Sequence, residues 1–251
     1  MTSLILFGVF ACLLLINLPI AFAIIFATLI TMLLTIDTLP ALITIAQRLA
    51  VGIDSFSLLA IPFFILAGYL MGQGGIAVRL INFAKVLVGR LPGGLALVNV
   101  ISCALFGSIS GSAVAATSAI GGFMVPAMEK EGYSRSFSTA VTVTSATTGL
   151  LIPPSNVLIV YSLASGGVSI AALFVAGYLP GLLVTLLLIL ASALCFRRYR
   201  IAPASMEIAE PFWSSLFGAV PSLFLIILII GGIIGGYFTP TEAGVIAVLY
   251  A

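Results

Sequence analysis

Histidine is absent from this sequence of 251 residues. That removes the commonest general base and metal ligand, and leaves any nucleophilic serine without its usual partner. Charge is scarce as well: nine Lys and Arg with seven Asp and Glu make up 6% of the chain, against 62% hydrophobic residues. A water-soluble globule of this length could not cover its surface with so few polar groups, so most of the surroundings must be lipid. The net charge of +2 is too small to suggest a nucleic-acid partner. Cys12, Cys103 and Cys195 lie in apolar runs without CxxC spacing, which argues against a metal site or a disulfide framework. No cofactor is expected.

What the sequence does have is long charge-free runs: Leu4 to Ile36, Ser55 to Val78, Leu91 to Met128, Ser136 to Phe196 and Pro211 to Thr241. Each exceeds the roughly 17 to 25 residues of a membrane-spanning helix, so the predicted fold class is an all-α, multi-pass integral membrane protein. The first run lacks a basic start and a small-residue cleavage site, and is expected to remain in the mature protein. It reads as one tilted or kinked span, with Asn17 and Pro19 as the place to break. Ser136 to Phe196 is long enough to cross twice, turning at Ser165-Gly166-Gly167.

Leu91 to Met128 is longer than one span, barely long enough for two, and carries Gly107-Ser108-Ile109-Ser110-Gly111-Ser112 at its middle. The basic clusters Arg79/Lys85/Arg90, Lys130/Arg135 and Arg197/Arg198/Arg200 share the cytoplasmic side only if this run returns to the face it came from. Charge and length therefore both predict a re-entrant hairpin over 91–128. Residues 77–90 gather Arg79, Asn82, Lys85 and Arg90 on one arc, with Leu80, Ile81 and Ala84 opposite, which predicts an interfacial helix. Residues 39–51 have the same character with fewer polar anchors.

Irregular backbone persists in a bilayer only where protein or a polar cavity satisfies it, because each unpaired group costs several kcal/mol. Two segments qualify. One is the hairpin tip, Ser108, Ser110, Gly111 and Ser112, with Thr117 on the returning helix. The other holds Ser145, Thr147 and Thr148 ahead of Pro153-Pro154-Ser155-Asn156. The proline pair removes two N–H donors and must interrupt the helix over 136–165, ending it near Leu151 and restarting it near Ser155. The new N-terminus offers N–H groups and partial positive charge to an anion, while the carbonyls before the break can face a cation. Transporters build midplane sites from such parts. The competing reading is close helix packing, for which Gly107 and Gly111 have the right spacing. Glu129 and Glu131 read as a solvated turn, and Tyr69, Tyr178 and Tyr237 as interface anchors.

Four segments resemble the large membrane subunit of tripartite ATP-independent periplasmic (TRAP) transporters. They are Ala60-Ile61-Pro62-Phe63-Phe64-Ile65-Leu66-Ala67-Gly68, Gly107 to Gly122 with Pro126-Ala127-Met128, Gly149 to Ser155, and Phe238-Thr239-Pro240-Thr241-Glu242-Ala243-Gly244. The resemblance implies a bacterial inner-membrane permease that imports small carboxylates, such as C4-dicarboxylates, sugar acids or sialic acids. Coupling to sodium through an elevator mechanism is implied as well. It places Ser110, Gly111 and Ser112 at a hairpin tip and Pro153, Pro154, Ser155 and Asn156 in a broken helix, both near sodium and substrate. It also implies two inverted repeats. The first covers 1–238, with scaffold helices over about 4–75 and 168–238, and the second begins at 239–251 and continues beyond Ala251. The chain is on this view the leading part of a longer permease. Implied partners are a small four-helix membrane subunit, a periplasmic substrate-binding protein and the lipid bilayer. Two alternatives stand beside this: a noncatalytic membrane scaffold subunit, and an intramembrane serine hydrolase built on Ser110-Gly111-Ser112, for which no base is evident.

Overall fold

A computed structural model describes residues 2–91, 93–199 and 211–251, and among these every regular element is a helix. The side chains of Arg197 and Arg198, and Arg200 altogether, lie outside the described part, so the third basic cluster has no structural account. The chain divides between Ser55 and Phe56 into two units.

The first unit holds α1 (Thr2–Leu15), α2 (Ile20–Leu33) and α3 (Thr38–Ile53). Here the structure corrects the sequence reading: Leu4 to Ile36 is two helices packed on each other, not one kinked span. Asn17 takes a left-handed conformation at φ 63°, and the Leu18 N–H reaches back to the Leu13 carbonyl at 3.2 Å, which closes α1 completely. Pro19, with no N–H to give, can then only open a new helix. Each of the two helices has 14 residues, about 21 Å at 1.5 Å per residue, short of a hydrocarbon core of about 30 Å.

The second unit opens with a 3-10 turn, Phe56–Leu59, leading into α4 (Ala60–Gln73) and α5 (Ile76–Val88). Then come α6 (Gly94–Ser110), α7 (Ala113–Lys130) and α8 (Arg135–Ala146), which runs into a 3-10 turn at Thr147–Leu150. After an irregular stretch follow α9 (Asn156–Ala164), α10 (Ile170–Tyr199), α11 (Phe212–Ile234) and α12 (Pro240–Tyr250). By length and composition, Phe56–Gln73, Ile170–Cys195 and Phe212–Ile234 can each cross a membrane. Gly166 and Gly167, at φ 90° and 95°, turn the chain between α9 and α10.

The core of this unit is built around α6, which is buried along almost its whole length. Phe64 and Met71 from α4, Leu80 from α5, Phe106 from α6, Ile120 and Met124 from α7 and Phe174 from α10 are sealed from solvent around it. Two of the segments that carry the family resemblance meet here. α12 packs on α4, with Gly244 so close to Phe63 that an added Cβ would sit 2.9 Å from the Phe63 Cβ. Thr241 donates to the Phe56 carbonyl at 3.0 Å.

The N-terminus of α12 is a capping box: the Thr239 N–H donates to Glu242 Oε2 at 2.8 Å, and the Glu242 N–H to Thr239 Oγ1 at 3.3 Å. The Thr239 backbone and then its hydroxyl hold the Glu242 carboxyl below its ordinary value. The stability this adds is present above the free-chain value and is lost as pH falls through the folded one. At the other charged turn, Arg135 Nε lies 3.6 Å from Glu129 Oε1 in a solvent-exposed pair. Between them, burial and then the charge of Glu131 push the Tyr133 phenol up to about 12, partly offset by a backbone hydrogen bond at Ala96.

Candidate functional site

Two interruptions of helical backbone face each other in the second unit. At the first, α6 stops at Ser110, Gly111 turns left-handed at φ 60°, and Ser112 starts α7 by accepting the Ala115 N–H at 3.3 Å. A two-residue joint of this kind folds α7 back along α6, and the two helices pack together. At the second, the 3-10 turn ends at Leu150 and Pro153-Pro154, joined by a cis peptide bond, carry the chain to Ser155. The Ser155 hydroxyl donates to the Leu150 carbonyl at 2.6 Å and accepts the Leu158 N–H at 3.4 Å. One oxygen thus closes the end of one helical piece and caps the start of the next.

The interruptions are bonded to each other. The Asn156 N–H donates to the Gly111 carbonyl at 3.3 Å. Gly111 lies so close to the prolines that an added Cβ would stand 2.8 Å from the Pro154 carbonyl oxygen. Ser110, Gly111, Pro153, Pro154 and Ser155 are all buried here, with Ser112 and Asn156 half-buried. Ser110 Oγ reaches the Ser112 carbonyl only at 3.5 Å.

Other residues singled out in the sequence sit apart from this junction or are already occupied. Ser108 donates back to Leu105 at 2.7 Å and lines a separate, almost wholly apolar cavity of about 470 Å³ with Ile101, Ile152, Tyr178 and Leu223. Thr147 is exposed and bonded to the Thr144 carbonyl, and buried Thr148 to that of Ser145, each at 2.6 Å. Thr117 is half-buried on α7, beyond the first turn from the tip. Gly107 is a packing residue, since a Cβ there would stand 2.5 Å from the Gly149 Cα.

A hard cation in such a place must be met by oxygen, because no cluster of His, Cys, Asp or Glu suited to a metal ion occurs among the described residues. Among the described residues, four buried side-chain oxygens have no hydrogen-bond partner: Ser102 Oγ on α6, Ser145 Oγ on α8, Asn156 Oδ1 on α9 and Ser222 Oγ on α11. A buried oxygen without a partner costs about 1–3 kcal/mol unless something else meets it. Ser145 and Asn156 belong to the interrupted helix, and their oxygens are neutral ligands of the kind that fits a hard cation.

Sequence reasoning missed a second polar cluster. Fully buried Asn99, on α6, donates to Thr142 Oγ1 on α8 at 2.7 Å, and its own oxygen accepts from the Cys103 thiol at 3.4 Å. The Thr142 hydroxyl in turn donates to the Ser138 carbonyl at 2.8 Å. The signal available was slight, a lone asparagine inside an apolar run. Asn99→Leu and Thr142→Val are each expected to lower stability by about 1 kcal/mol. The double variant should lose less than the sum, a coupling that denaturant titration of the four proteins measures.

All-helical among its described residues, strongly apolar and with three helices long enough to cross a bilayer, the chain has the make-up of an integral membrane protein. Residues 7–251 match the family described as Tripartite ATP-independent periplasmic transporter, DctM component, and the chain belongs to that family. It is 56% identical to the Uncharacterized protein YgiK of Salmonella typhimurium, over 98% of this chain and 57% of that protein. It is 39% identical to the C4-dicarboxylate TRAP transporter large permease protein DctM of Rhodobacter capsulatus, over 100% of this chain and 60% of the relative. With the Sialic acid TRAP transporter large permease protein SiaM of Vibrio cholerae the identity is 40%, over 94% of this chain and 54% of the relative. The chain thus spans between half and two thirds of the length of these curated relatives. Permease subunits are not enzymes, and the serine-hydrolase alternative is set aside on that ground.

Proposed function

We propose that this chain forms the leading part of an inner-membrane permease subunit that imports small carboxylates on a sodium gradient. The hairpin α6–α7 and the broken helix α8–α9 hold substrate and ion, and carry them past scaffold helices by an elevator movement. The observation that carries this reading is the bond between the two interruptions, Asn156 N–H to Gly111 carbonyl. Helix packing alone gives no reason for two irregular stretches to meet. At that bond lie the N-termini of α7 and α9, which suit a carboxylate, and the partnerless Asn156 Oδ1, which suits sodium, as does the partnerless Ser145 Oγ near the end of α8. The C4-dicarboxylate and sialic acid relatives support the substrate class. In this reading a small four-helix membrane subunit packs on the scaffold, a periplasmic binding protein delivers the ligand, and the hairpin is re-entrant from the cytoplasmic side. A second repeat, inverted relative to the first, completes the site.

The test is uptake of labelled C4-dicarboxylates and sialic acid into proteoliposomes holding the complete permease with its small subunit and binding protein. Accumulation should need both the binding protein and an inward sodium gradient. Ser110→Ala with Ser155→Ala in that permease is expected to cut uptake at least tenfold, since about 1.4 kcal/mol at the site is worth that factor, while membrane insertion is unchanged. Uptake at the wild-type rate in the double variant would return both interruptions to packing.

A further inference from the structure

α5 buries one stripe, Ala77, Leu80, Ile81 and Ala84, against the rest of its unit, where it packs on α6 and α11. Its other side carries Arg79 and Lys85, and Arg90 follows one residue beyond its capping Gly89. Arg79 and Arg90 are exposed and Lys85 half-buried, and among the described residues none of the three has a carboxylate within ion-pair distance. Cations left unpaired on one short helix call for an anionic partner from outside.

The residues between and beside them say what kind of partner. Val78 and Val86 alternate with the cations on the same face, and Leu87 and Leu91 stand 49% and 52% exposed at its edge. An acidic protein surface would leave these apolar side chains in water. A membrane interface takes both, with the apolar groups sunk among acyl chains and the cations held at headgroup level.

We propose that α5 and the turn after it form a binding surface for anionic phospholipid headgroups, with Arg79, Lys85 and Arg90 as the anchoring charges. The surface rests on the chain being a membrane protein and on no particular substrate or coupling ion.

The test uses the protein reconstituted in phosphatidylcholine vesicles containing a trace of spin-labelled phosphatidylglycerol or spin-labelled phosphatidylcholine, read by electron paramagnetic resonance. The wild type should immobilise the glycerol lipid several-fold more strongly, and rising ionic strength should erase the difference. Each cation removed is expected to cost up to about fivefold in that preference, so R79Q/K85Q/R90Q should show none. R79K/R90K, which keeps the charge, should retain it, as should K130Q/R135Q at the other basic turn. Equal immobilisation of both lipids by the wild type would overturn the proposal, as would a preference indifferent to salt. So would a folded R79Q/K85Q/R90Q protein that keeps the preference, loss of it in R79K/R90K, or loss of it in K130Q/R135Q.

Discussion

Gly111→Val is expected to abolish uptake by the complete permease and to lower its stability by about 2–5 kcal/mol. A left-handed conformation costs an ordinary L residue about 1–2 kcal/mol, and position 111 sits at φ 60°. The rest comes from overpacking, about 1–3 kcal/mol. The new Cβ would be 2.8 Å from the Pro154 carbonyl oxygen and 3.3 Å from the Asn156 nitrogen, and both of these are backbone atoms. Relief requires the two interruptions to separate, which breaks the hydrogen bond joining them. Gly122→Ala is the control: that glycine lies on α7 with nothing within 4 Å of its added Cβ, so it should fold and transport normally. Melting temperatures of both variants beside the wild type decide it, and a Gly111→Val protein as stable as its parent would refute this account of the junction.

The second large effect lies one helical turn earlier. Gly107→Leu is expected to force α6 away from the 3-10 turn at Thr147–Leu150 and to cost about 1–3 kcal/mol or more. Gly107 and Gly149 touch backbone to backbone: a Cβ on either would lie 2.5 or 2.7 Å from the Cα of the other. No rotamer relieves such a clash. Once the backbones have parted, the second glycine no longer matters, so Gly149→Ala added to Gly107→Leu should cost little more. Strict additivity in the four melting temperatures would show that the two glycines are not in contact.

The helix interruptions were legible in the sequence because their causes are local. Two consecutive prolines forbid a helix whatever surrounds them, and a Ser-Gly-Ser step offers both a left-handed residue and a cap. The amphipathic α5 was legible for the same reason, since its pattern is written within 13 residues. The pairing of Gly107 with Gly149 was not, because the partner of a packing glycine is set by tertiary approach and leaves no mark in spacing. Asn99 was missed likewise: only the arrival of Thr142 from another helix turns an isolated amide into a network. At the N-terminus the error had a different origin. Run length measured against bilayer thickness favours a single span, while the local chemistry of Asn17 and Pro19 makes two helices. Ser108 and Thr147 are legible only as polar residues near the two interruptions; that each donates its hydroxyl to a carbonyl three residues back is seen in the structure alone.

How the helices are begun has a further consequence. Where α12 starts, the chain uses a carboxylate, Glu242, and that negative charge neutralises the positive end of the helix. Where α7 and α9 start, at the paired interruptions, it uses Ser112 and Ser155. A hydroxyl supplies the hydrogen bond but no counter-charge, so the electrostatic field of these two helix ends is left unspent. On the proposed reading, an anion arriving here would meet no carboxylate among the described residues at the two caps, and would itself supply the counter-charge that the serines leave out.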